Sequence, residues 1–130
     1  MMRRPHQATD GEFTFGIELV MDIDNCDPTV ITDPDALTRY ASELVDRIKM
    51  TAYGQPWLQH FGHANAVTSG FTVFQPIETS SILLHVSEGL RRIHINIFSC
   101  RPFDTHDAMD YSEAYFAGAS ADTTYSVLSR

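Results

Sequence analysis

The sequence predicts an α+β fold, a two-layer sandwich in which a mainly antiparallel sheet carries two helices on one face. Three observations predict it: an opening segment with apolar residues at every second position, an amphipathic helical stripe behind it, and several short β-type segments before a second helical segment. Residues 13–23, FTFGIELVMDI, place Phe13, Phe15, Ile17, Leu19 and Met21 at period two and read as the first strand. In residues 32–54, Asp33 before Pro34 is a start signal. Leu37, Tyr40, Leu44 and Ile48 then share one face and Gly54 stops the helix. Residues 56–62, 70–78, 81–86 and 93–100 read as short strands, residues 101–118 as the second helix ended by Gly118, and residues 123–129 as a closing strand. Two helices cover only one face of such a sheet, so a partner subunit is a candidate to cover the other.

Composition limits the function classes. At 130 residues, 43% hydrophobic and 20% charged, the chain is one domain, residues 1–130, with apolar surface for a single core. Nine Lys and Arg against 17 Asp and Glu give a net charge of -8, which argues against nucleic acid and anionic membrane surfaces and mildly favours cationic ligands. The two arginines near the start have no apolar stretch behind them, and no run approaches a membrane span. A cytoplasmic protein is the expectation. Two cysteines, Cys26 and Cys100, do not make a disulfide framework.

Several motifs carry little chemistry. Asp22, Asp24 and Asp27 lie close together but lack the glycine and terminal glutamate of a calcium loop, so capping or solvated roles are expected. His60 and His63 have neither a thiol pair nor a helix to align them as metal ligands, and no metal site is expected. No phosphate-cradling glycine loop and no Gly-x-Ser-x-Gly elbow is present. Cys26 reads as a small buried hydrophobe. His94 and Asn96 alternate with three isoleucines and face either a site or solvent. Thr79, Ser80 and Ser81 form a hydroxyl cluster at the mouth of a strand, which is either a polar hairpin turn or a place where chemistry is done on the backbone itself.

The ordered set Thr72, Ser80, His85 and Cys100, with GIELVMDIDNCD, GFT, SSILLH and IFSC around it, resembles the S-adenosylmethionine decarboxylase family in its short prokaryotic form. The resemblance runs from about Gly16 to the second helix. It implies a self-processing proenzyme in which the Ser80 hydroxyl attacks the Thr79 carbonyl, turning the amide into an ester. Elimination then cuts the chain into residues 1–79, the β chain, and residues 80–130, the α chain, whose first residue becomes a pyruvoyl group. On this resemblance Thr72 is a helping hydroxyl, His85 the base that takes the serine α-proton, and Cys100 the proton donor in turnover. The pyruvoyl ketone captures the substrate amine and accepts the electrons released with carbon dioxide. Replacing Cys100 is then expected to slow turnover and spare the cut.

The resemblance also implies a homodimer whose sheets pack together, with the site near the subunit boundary, and a cationic amino-acid-type substrate. The chain departs from the family pattern at three positions. Thr79 stands where a glutamate is usual, Ser87 where an aromatic ring is usual, and Glu88, the candidate for the ribose hydroxyls, comes one residue early. Two enzyme readings follow, decarboxylation of S-adenosylmethionine for polyamine synthesis or of free arginine or ornithine. A third, non-enzymatic reading is a non-processing homologue that binds a ligand or partner. His85 lies five positions after Ser80, on the opposite face of a regular strand, so a bulge near Ser81 is predicted to bring the two together.

Overall fold

The computed structural model describes residues 15–130. Phe13 of the predicted first strand therefore lies outside the described residues. Six strands form one sheet: β1 (Ile17–Asp24), β2 (Trp57–Phe61), β3 (Gly70–Ile77), β4 (Ser80–Ser87), β5 (Arg92–Ser99) and β6 (Asp122–Ser129). Their spatial order is β2-β3-β4-β5-β1-β6, and every neighbouring pair is antiparallel. The helices are α1 (Pro28–Ile31), α2 (Pro34–Arg47) and α3 (Thr105–Phe116), with a 3-10 turn at Gly118–Ser120.

Period-two apolar residues decide which face is covered. Ile17, Leu19, Met21 and Ile23 of β1 are buried, as are Val73 and Ile77 of β3, Ile82, Leu84 and Val86 of β4, and Ile93, Ile95 and Ile97 of β5. With Leu37, Tyr40 and Leu44 of α2 and Ala108, Met109 and Phe116 of α3 they make one core between the sheet and the helices. Tyr40 is fully buried, and its hydroxyl meets Ser112 Oγ at 2.6 Å, so the phenol is not left unpaired. Burial pushes its pKa well above the usual tyrosine range.

Helix starts follow the aspartates. Asp33 caps α2 by accepting from Asp35 N, Asp104 caps α3 by accepting from Asp107 N, and Asp27 caps α1 by accepting from Thr29 N. The one-turn α1 is an addition to the two predicted helices; four residues are too few to display a helical period. Cys26 is buried as expected, its thiol donating to Ile23 O, and burial raises its pKa to about 11.

The predicted bulge near Ser81 is absent. Pairing between β3 and β4 runs unbroken from Thr72↔His85 to Ile77↔Ser80, and between β4 and β5 from Ser81↔Phe98 to Ser87↔Arg92. The distortion lies in the two-residue turn before β4, where Thr79 adopts φ 61°. A β-branched residue in the left-handed region costs on the order of 1–3 kcal/mol, and glycine or asparagine usually takes such a turn position. No helix among the described residues is long and apolar enough to cross a membrane.

Candidate active site

The predicted site residues gather in two separate groups. The first surrounds the β3–β4 turn. Cys100, just past the end of β5, donates its thiol hydrogen to Thr79 O at 3.0 Å and its backbone N–H to Ser80 Oγ at 3.2 Å. The antiparallel β4–β5 ladder puts these residues side by side although 20 positions separate them in sequence. A carbonyl in a strained turn therefore has a hydroxyl on the next residue and a hydrogen-bond donor at its oxygen. Those are the parts needed for an intramolecular acyl shift. Beside the turn lies a cavity of about 410 Å³ lined by Met50, Thr51, Ile77, Glu78, Thr79 and Arg101. Arg101 also lines a larger cavity, of about 690 Å³, with Lys49, Phe103 and His106.

The second group stands on the open face of the sheet. Thr72 Oγ1 lies 3.0 Å from His85 Nδ1, across the β3–β4 ladder. In the tautomer with its proton on Nδ1, His85 donates to Thr72 and keeps a free lone pair on Nε2. Burial first, and neighbouring His94 second, hold the His85 pKa below the usual histidine range, which favours the neutral base. Phe61, Arg92 and His94 join Thr72 and His85 around a cavity of about 320 Å³. An added Cβ at Gly70, which also lines it, would sit 2.0 Å from Val86 O, so only glycine fits there.

The two groups do not meet within one chain. Ser80 and His85 are five residues apart on a regular strand, roughly 17 Å along its axis, and their side chains leave opposite faces. Glu88 joins neither group. Its Oε1 accepts from Ser69 Oγ at 2.9 Å, and its Oε2 lies 3.1 Å from His60 Nε2. His60 and His63 meet at 3.3 Å, yet no cluster of three or more potential metal ligands occurs among the described residues.

Comparison with known proteins decides the lineage. The family profile described as S-adenosylmethionine decarboxylase matches residues 17–129. The chain belongs to the S-adenosylmethionine decarboxylase family. A crystal structure of the adenosylmethionine decarboxylase from Aquifex aeolicus is similar in fold, with a TM-score of 0.67 at 16% identity over 86% of this chain and 88% of that one. No curated protein matches the chain. A decarboxylase of the S-adenosylmethionine decarboxylase family thus carries its hydroxyl, thiol and imidazole groups on three neighbouring strands and the turns that end them.

The sequence pattern names Thr72, Thr79, Ser80, His85 and Cys100 as candidates and gives no signal for Phe61 and Arg92, which line the His85 cavity, or for a contact of Asp22 with His94. Asp22 reads in sequence as a capping or solvated residue, yet its carboxylate lies 2.8 Å from His94 Nδ1 across the β1–β5 ladder. Asp24 pairs with Arg92 in the next row, and Asp27 caps α1. Only the strand pairing exposes the Asp22 contact.

Proposed function

We propose that the chain is a self-processing, pyruvoyl-dependent decarboxylase acting in polyamine synthesis, with S-adenosylmethionine as its substrate. One observation carries the processing step: the Thr79 carbonyl, in a left-handed turn residue, has Cys100 Sγ at 3.0 Å, while Cys100 N donates to Ser80 Oγ. Ser80 Oγ attacks the Thr79 carbonyl carbon, and charge growing on the oxygen is met by the thiol. The N–C bond breaks to give an ester. His85 then takes the Ser80 α-proton, the Thr79 carboxylate leaves, and hydrolysis of the remaining residue releases ammonia. The products are residues 1–79 and residues 80–130. The pyruvoyl group so formed supplies an electron sink for loss of carbon dioxide from an amine-bearing substrate. Arg101 and Glu78, beside the turn, would orient that substrate, and Cys100 would return the proton.

A second copy of the chain supplies the base in this reading. The roughly 17 Å between Ser80 and His85 prevents either from serving the other in its own chain. The open sheet face exposes Trp57, Phe61 and Phe74, apolar surface suited to packing against another sheet. A two-fold axis crossing β4 midway between Ser80 and His85 would set each histidine over the partner's turn. Thr72 and His85 then act in trans, and the homodimer is the functional unit.

A second substrate reading has its own support. With Ser87 in place of a ring and both Glu88 oxygens engaged by Ser69 and His60, two contacts to adenosine are missing, which favours free arginine or ornithine. Phe61 in the His85 cavity supports the nucleoside instead, as an aromatic wall. Intact-mass measurement of the purified protein is expected to give two chains divided before Ser80. Release of labelled carbon dioxide should be fastest from S-adenosylmethionine; release from arginine or ornithine alone would select the second reading. A single persistent chain, with no release from any substrate, would select the non-processing, ligand- or partner-binding homologue.

The thiol contact also changes what is expected of Cys100. Because its Sγ donates to the oxygen of the attacked carbonyl, Cys100→Ala should slow the cut as well as turnover. About 10- to 100-fold slower cleavage is expected for loss of one weak donor, read as the half-time of the intact chain by mass spectrometry. Unchanged cleavage would confine the thiol to turnover.

A further inference from the structure

The imidazole of His85 ends a longer row of side chains. On the open face of the sheet, Thr72 of β3, His85 of β4, His94 of β5 and Asp22 of β1 are successive cross-strand partners. Each outer pair is hydrogen-bonded: Thr72 Oγ1 to His85 Nδ1 at 3.0 Å, and His94 Nδ1 to Asp22 Oδ1 at 2.8 Å. Between them the two imidazole rings lie 6.3 Å apart, tilted by 30°. They are near enough for a charge on one to be felt by the other, and too far apart to share a proton.

We propose that Asp22 and His94 are positioning residues for His85: the carboxylate fixes the His94 ring beside it, and that ring opposes a positive charge on His85, which stays a neutral base aligned on Thr72. This rests on the reading of His85 as the processing base. The Asp22 carboxylate, 2.8 Å from His94 Nδ1, makes that nitrogen the donor and sets the orientation of the ring. A positive charge on His85 is opposed by the neighbouring His94 ring. The lowering of the His85 pKa by burial and by His94 has the same sign.

The surroundings leave the pair free to set this balance. In the next row along the strands, Arg92 is bound to Asp24, and Asp122 of β6 is the cross-strand partner of Asp24, an exposed carboxylate on the far side of that ion pair from His85. On the other side, Phe74, Leu83, Asn96 and Val20 bring no charge; one row further, Glu18 is tied to Arg130. Beyond Asp22, β6 contributes Thr124, which does not titrate near neutral pH. Among the described residues, the helices pack on the opposite face. None of these contacts follows from the spacing of residues 22, 72, 85 and 94 in sequence.

The test is a histidine-ring NMR titration of the full chain, wild type against His94→Gln and Asp22→Asn, with His85→Gln to assign the signal. Removing the His94 ring is expected to raise the His85 midpoint by about half to one pH unit, the scale of one charge at this separation in a wet site. Asp22→Asn, which releases the His94 ring, should raise the His85 midpoint in part. Added to His94→Gln, it should move His85 no further. Only neutral His85 accepts the α-proton, so the rate falls as pH drops through its pKa. His94→Gln should therefore shift the acid limb upward, slowing the cut several-fold near pH 6 and little at pH 8. A His85 midpoint that coincides in wild type and His94→Gln would overturn the proposal, as would a loss of rate uniform across pH. The ring titration reads the coupling even in a chain that never cuts itself. In that case the processing reading fails and the electrostatic one stands, whereas a chain that cuts with unmoved midpoints overturns only the role of His94 and Asp22.

Discussion

Ser80→Ala is expected to leave one intact chain of about 14.6 kDa and to abolish decarboxylation. The expected fall is at least about 10³-fold, the scale on which losing an obligatory nucleophile acts, because no other group can make the ketone. The neighbouring hydroxyl provides the control. Ser81 is paired with Pro76 and Phe98, and its side chain leaves the face opposite to that of Ser80. Ser81→Ala should therefore cut at the wild-type rate, whereas loss of the cut in that variant, with a cut persisting in Ser80→Ala, would move the nucleophile one residue on. Mass spectrometry of both purified variants, with carbon dioxide release on the same samples, separates these outcomes.

Physical reasons favour Ser80 over its neighbours. An amide-to-ester shift is uphill in a relaxed peptide, so the reacting carbonyl needs both strain and a donor. Thr79 supplies the first through its positive φ, and Cys100 supplies the second. Thr79 cannot be the nucleophile in this geometry. Its own hydroxyl donates to Glu78 O at 2.6 Å and is turned back along the chain. The strand that follows is held on both sides by unbroken ladders, so the strain cannot relax by slipping the register.

Much of the layer architecture was legible because period-two burial repeats in β1, β3, β4 and β5, and because Asp33 and Pro34 announce α2. The α1 turn was not, since four residues carry no period. In the site, the spacing from Ser80 to Cys100 was readable, but the thiol contact to Thr79 O needs the hairpin and the following strand to be paired first. The predicted bulge failed for a related reason. Sequence spacing puts Ser80 and His85 on opposite faces of a strand, and a bulge is required only if a single chain brings them together. The ladders keep a regular register and leave them apart. Asp22 and His94 are 72 positions apart and become neighbours only because β1 inserts between β5 and β6. Glu88 likewise carries no partner that the sequence pattern reveals, whereas in the fold Ser69 and His60 occupy its two oxygens.

The separation of Ser80 from His85 leads to the second large effect, complementation between two inactive chains. His85→Ala alone should fail to complete the cut because no base removes the α-proton, and Ser80→Ala alone lacks the nucleophile. When the two are coexpressed, a mixed dimer contains one intact turn, on the His85→Ala chain, facing one intact Thr72 and His85 pair on its partner. The His85→Ala chain should then divide before Ser80 while the Ser80→Ala chain remains whole. With random pairing about half of the His85→Ala chains should be cut, since about half meet the other variant. Carbon dioxide release should return with them. If instead the strand bends within one chain so that Ser80 and His85 serve each other, every chain in the mixture lacks one of the two and none divides. The outcome distinguishes a site shared across two sheets from one closed within a single sheet, and the unbroken ladders of β4 favour the shared site.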